Sequence, residues 1–148
     1  MTYLVPFDGS QLSTAALARA DEFRTAGLGV EEILVVAVVP DGNVRYARRQ
    51  GWLDDDEPFD AELVSERLRE QARAVTPSFS FRMETVGKRA KPGDIAGRVR
   101  SVARSEDVAM VFVGSENAGR MVTSVSSVGG SVAHEAGYDV VIVRRAGE

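Results

Sequence analysis

Apolar positions along this chain follow two rhythms that alternate from one end to the other. The first run, Tyr3 to Phe7, is short, and Asp8, Gly9 and Ser10 close it, which predicts a buried strand with a tight exit. Ser10 then stands where a helix cap is needed. The helix it opens is expected to reach about Phe23 or Arg24, because Leu12, Ala16, Ala20 and Phe23 recur at helical spacing before Gly27 and Gly29. Ile33 to Val39 is continuously apolar and rich in β-branched residues, the mark of a strand covered on both faces, and Pro40, Asp41 and Gly42 end it. From Asn43 to Glu57 no period emerges. Tyr46 and Trp52 sit among polar residues that finish in Asp54, Asp55, Asp56 and Glu57, so residues 43–57 read as a variable connection or partial lid.

Pro58 suits the first turn of a second helix, whose apolar stripe is Phe59, Leu63, Val64, Leu68, Ala72 and Val75. Phe79, Phe81, Met83 and Thr85 alternate with polar residues, as in an edge strand with one partly wet face. A basic loop follows from Gly87 to Gly93, then a third helix marked by Ile95, Val99 and Val102, with Asp94 suited to its positive end. Val108 to Val113 is a further buried strand closed by Gly114, and Val140 to Val143 is the last. Alternation of this kind favours right-handed crossovers and helices on both faces of a sheet. We therefore expect one α/β domain over residues 1–148, a doubly wound, five-stranded, mainly parallel sheet. Its binding crevice is expected beyond the carboxyl ends of the strands, where the strand order reverses.

Composition narrows the chemistry. The chain has no cysteine and one histidine, His134, which excludes disulfides, thiolate chemistry and an imidazole cluster. A formal charge of -4 argues against a nucleic-acid binder, which wants a concentrated basic face. No apolar run approaches the roughly 18 residues needed to cross a bilayer and no secretory pattern opens the chain, so it reads as cytoplasmic with no membrane partner. The cluster Asp54 to Glu57 reads as a solubilising loop, and no metal site is expected except one brought by a nucleotide.

The opening Tyr3-Leu4-Val5-Pro6-Phe7-Asp8-Gly9-Ser10, followed by Ser13 and Ala15-Ala16-Leu17, closely resembles the amino terminus of universal stress proteins. Gly87 through Pro92 with Ile95, then Val108 to Gly114 and finally Val140 to Arg144, are similar to the later strands of that family and the helix between them. The resemblance implies strand order 3-2-1-4-5 and a homodimer in which the last strands meet. For the nucleotide-binding branch it implies ATP or another adenine nucleotide. Asp8 would then anchor ribose or adenine, backbone at Val38 or Val39 would meet the adenine edge, and Gly114 would open the phosphate loop.

That branch carries a glycine, two residues, a glycine, nine residues, then a glycine followed by serine or threonine. Here Asn117 stands at the second glycine. Gly130-Ser131 could supply the third, but a helix from there to Gly137 would run fewer than two turns, short for a crossover. Aligning on the last strand sets Ser126, Ser127 and Val128 at the family's glycine, serine and valine. Val128, Val132 and Ala136 then form a stripe on a late helix starting near Ser127. The phosphate loop accordingly departs from the family pattern, since glycine lets amides converge on an anion where bulkier residues do not. Arg120 could contact phosphate, and Glu116, turned inward, would repel it.

Lys88, Arg89 and Lys91 form a basic loop that is either solvated or attracted to phosphate. No nucleophile elbow or acid-base pair is recognisable. The leading expectation is a universal-stress-like binding or signalling protein, an adenine-nucleotide sensor. The alternatives are a homodimeric interaction protein that binds no nucleotide, and a weak nucleotide hydrolase or phosphotransfer enzyme.

Overall fold

In the computed structural model, residues 1–27, 32–127 and 137–146 are described. Five parallel strands form one sheet in the order β3-β2-β1-β4-β5, with β1 Thr2–Pro6, β2 Glu32–Pro40, β3 Ser80–Val86, β4 Met110–Gly114 and β5 Asp139–Val143. The fold class and strand order are those expected. The chain winds outward through β2 and β3, then crosses back to lay β4 on the other side of β1, so the order reverses between β1 and β4.

Period-two alternation sends each central strand's side chains into two separate cores. Tyr3, Val5, Ile33, Val35, Ala37, Val39 and Phe112 face one core, covered by α1 (Gln11–Ala26) and α3 (Ala61–Val75) through Ala16, Leu17, Ala20, Val64, Leu68 and Ala72. Leu4, Leu34, Val36, Val38, Val111 and Val113 face the other, covered by α4 (Pro92–Ser105) and α5 (Ser115–Ser127) through Val99, Val102, Ala103, Ala118 and Met121. This double coverage explains why β2 reads as an unbroken apolar run, with every residue from Ile33 to Pro40 buried.

Local chemistry fixes the helix starts. Ser10 caps α1 as expected, its Oγ accepting from Ser13 N at 3.2 Å. The second expected helix starts later than Pro58. Asp60 caps α3, its Oδ1 accepting from Glu62 N at 3.1 Å and Leu63 N at 3.2 Å, so Pro58 and Phe59 precede the helix. Pro92 opens α4, and Asp94 reaches back to accept from Lys91 N at 2.9 Å.

Two segments differ from expectation. Within 43–57 the chain forms a short helix, α2 (Val44–Arg49), capped by Asn43, and Trp52 and Leu53 are buried in the core. The polar spacing had hidden an anchored segment. After β4, the chain enters α5 directly where a phosphate loop was expected to open. Ala118, Met121, Val122 and Val125 carry helical spacing in the sequence, and Glu116 suits the positive end of the helix. Ser126 and Ser127 are its last two positions. Val128, His134, Gly29 and the expected late helix lie outside the described residues.

Candidate functional site

The reversal between β1 and β4 opens a cleft of about 410 Å³, within the size range of small-molecule sites. Its apolar surfaces come from Val36 and Val38 of β2 and from Ile95 and Val99 of α4, with Pro92 at the start of that helix. Polar groups stand around them: Asp8, Ser10 and Ser13 after β1, Tyr46 and Gln50 from the α2 segment, and Glu116, Asn117 and Arg120 on α5.

The Asp8 turn is built from the residues that read as a strand exit. Gly9 takes φ +81°, a left-handed conformation that side chains disfavour. Asp8 Oδ1 accepts from Ser10 N at 2.9 Å, and Asp8 N donates to Ser13 Oγ at 3.3 Å. The Asp8 carbonyl accepts from Trp52 Nε1 at 2.8 Å, which ties the α2 segment to the cleft. Asp8 is therefore a turn acceptor through one carboxylate oxygen. Among the described residues Oδ2 carries no hydrogen bond, which leaves an acceptor beside the cleft.

Register separates Val38 from Val39. Phe7 N donates to the Val36 carbonyl at 2.8 Å, so Val36 turns its backbone polar groups toward β1. Two residues on, Val38 turns the same way, past the last β1–β2 pair, Pro6 with Val36. Its N–H and C=O thus look into the space beyond β1. Val39 faces the opposite way, pairs with Thr85 of β3, and buries its side chain in the other core. Of the two candidates, only Val38 lines the cleft.

Gly114, Asn117 and Arg120 also line it. Gly114 has a packing reason for its lack of a side chain: a Cβ there would stand 2.8 Å from Leu12 Cβ on α1. Arg120 makes protein contacts of its own, and its carbonyl accepts from Arg100 Nη1 at 2.6 Å. Ser126 and Ser127 are the last two positions of α5, and their side chains lie outside the described residues. Lys88, Arg89 and Lys91 do not line it either. Arg89 borders a separate hollow with Gly93, Asp94 and Arg98.

Sequence reasoning missed Tyr46 and Gln50 as cleft residues, although both follow the helix cap Asn43. The signal was that cap: Asn43 Oδ1 accepts from Tyr46 N at 2.9 Å, starting a helix too short to show a period. Burial and then the Asp8 charge push the Tyr46 hydroxyl above its ordinary pKa, with Arg49 opposing, so at neutral pH it is a neutral donor. Its ring packs 5.5 Å from Trp52, centre to centre. Apolar walls with hydroxyl, carboxylate and amide groups at the rim suit a flat, hydroxyl-bearing ligand such as a nucleoside.

Among the described residues no group of three or more histidine, cysteine, aspartate or glutamate side chains could hold a metal ion, and no helix is long and apolar enough to cross a membrane. No curated protein matches the chain. Among solved structures, a universal stress protein from Lactobacillus plantarum is 16% identical with a TM-score of 0.56, covering 97% of each chain. A universal stress protein in complex with cAMP is 18% identical with a TM-score of 0.53, covering 97% of this chain and 96% of its own. One from Archaeoglobus fulgidus in complex with dAMP is 18% identical with a TM-score of 0.51, covering 97% and 98%. At these identities the likeness bears on fold alone, but the model of the universal stress protein family matches residues 1–144. The sequence match and the 3-2-1-4-5 sheet agree: this chain belongs to the universal stress protein family.

Proposed function

We propose that the cleft binds an adenine nucleotide and that the protein acts through regulated binding, as a homodimer joined along β5. The observation that carries this reading is the pairing of two unused recognition elements beside one apolar slot: the outward-facing Val38 backbone and the second oxygen of Asp8. A backbone donor and acceptor on one residue match the edge of adenine, and a carboxylate oxygen accepts from ribose hydroxyls. The universal stress proteins solved in complex with cAMP and with dAMP support an adenine ligand. β5 supports the dimer, because it ends the sheet and leaves Ile142 44% exposed.

Calorimetric titration of ligand-free protein with AMP and with magnesium-supported ATP tests the reading. Light scattering on the same samples gives the subunit number. Asp8→Asn keeps the turn acceptor and removes the charge. A hydrogen bond to a charged group is worth about 1.5–3 kcal/mol, so affinity should fall about tenfold or more. Unchanged affinity would remove Asp8 from the site, and no binding at millimolar ligand would leave the interaction protein. Release of phosphate from ATP would favour the enzyme.

A further inference from the structure

The wall of the cleft formed by β4 and α5 is poorly equipped for a chain of phosphates. Only Gly114 separates the buried strand residue Val113 from Ser115, where α5 begins, so no loop intervenes whose amides could wrap a polyphosphate. The space where a Gly114 side chain would go is occupied by Leu12 of α1. Glu116, in the first turn of α5, sets a carboxylate on the same wall. Arg120 is the one cation among the described residues lining the cleft, and it already has protein contacts. Among the described residues, one side-chain cation and the positive end of α5 stand against Glu116 and Asp8, too little positive charge for three phosphates.

Resting on the adenine-ligand reading above, we propose that Glu116 makes the cleft discriminate by charge, accepting adenosine and its monophosphate and disfavouring the triphosphate. Glu116 is exposed, so the repulsion acts through partly screened space and is salt-dependent. Its expected size is about fivefold in affinity.

The test titrates adenosine, AMP and ATP, without divalent metal, into the full chain and into Glu116→Gln and Glu116→Lys. Each is run at low salt and at ~150 mM, where the Debye length is about 8 Å. The wild type should bind AMP about fivefold more tightly than ATP, with a wider gap at low salt. Glu116→Gln should close most of that gap and leave adenosine affinity unchanged. Glu116→Lys should reverse the preference. A structural role for Glu116 would weaken all three ligands alike in both variants, and that result overturns the proposal. It is equally overturned if wild-type protein binds ATP as tightly as AMP, or if Glu116→Gln leaves their ratio unaltered. If none of the three ligands binds the wild type, the adenine reading itself falls and takes this selectivity with it. If all three bind alike, the adenine reading stands and only the selectivity falls.

Discussion

The two walls of the cleft are held in different ways. On the β1 side, the Asp8 turn is fixed by hydrogen bonds at three points: Oδ1 to Ser10 N, the amide to Ser13 Oγ, and the carbonyl to the Trp52 indole. On the β4 side, Gly114 and α5 are held chiefly by shape, with Gly114 against Leu12 and with Ala118 and Met121 in the core. The lesson concerns ligand choice. A wall pinned by hydrogen bonds presents groups in set directions, as the proposed recognition of a base and ribose requires. A wall set chiefly by packing presents exposed Glu116, Asn117 and Arg120, whose polar and charged groups screen or select without fixing an orientation.

The largest effect should come from removing Trp52. It is 2% exposed and is the link between the α2 segment and the Asp8 carbonyl. Trp52→Ala should cost about 3–5 kcal/mol in urea unfolding. The transition must be followed by circular dichroism, because Trp52 is the only tryptophan. On the other wall, Gly114→Ala forces a methyl group to 2.8 Å from the Leu12 side chain and should cost about 1–3 kcal/mol by the same measurement. A larger loss for Gly114→Ala than for Trp52→Ala would reverse the comparison and make the packed wall the more rigidly held of the two.

The contrast also sets what was legible in the sequence. Strands buried on both faces announce themselves, since β2 needs apolar residues at consecutive positions, and Asp8-Gly9-Ser10 joins a turn to a helix cap in three residues. The resemblance to universal stress proteins then gave the strand order, which periodicity alone does not. The 43–57 segment was illegible because its burial rests on isolated residues, Ala47, Trp52 and Leu53, with Trp52 joined by long-range hydrogen bonds to Asp8 and Arg67. The choice between Val38 and Val39 depended on where β1 pairing stops, a matter of register. The segment after Gly114 was read against a loop motif, and its helical spacing was overlooked for that reason.

The smallest effect belongs to the outer anchor of the hydrogen-bonded wall. Arg67 donates in a fork to Glu57, Nη1 to Oε1 at 2.7 Å and Nη2 to Oε2 at 2.9 Å, and Nη1 also donates to the Trp52 carbonyl at 2.9 Å. That fork, with a further bond from Asp54 N, holds the Glu57 carboxyl down at about 2, below its ordinary 4.5. A carboxylate whose folded pKa lies below its unfolded one binds fewer protons when folded, so it stabilises the fold at higher pH. Its contribution is fully present above about pH 4.5 and is lost as pH falls toward about 2. The pair is open to solvent, so the effect is modest. Glu57→Gln should therefore be slightly less stable than wild type at neutral pH, and the difference should shrink to nothing across that acidic window. A difference that stays constant with pH would mean that Glu57 holds the segment by shape rather than by charge. The wall around Trp52 would then resemble the packed wall opposite in how it is held.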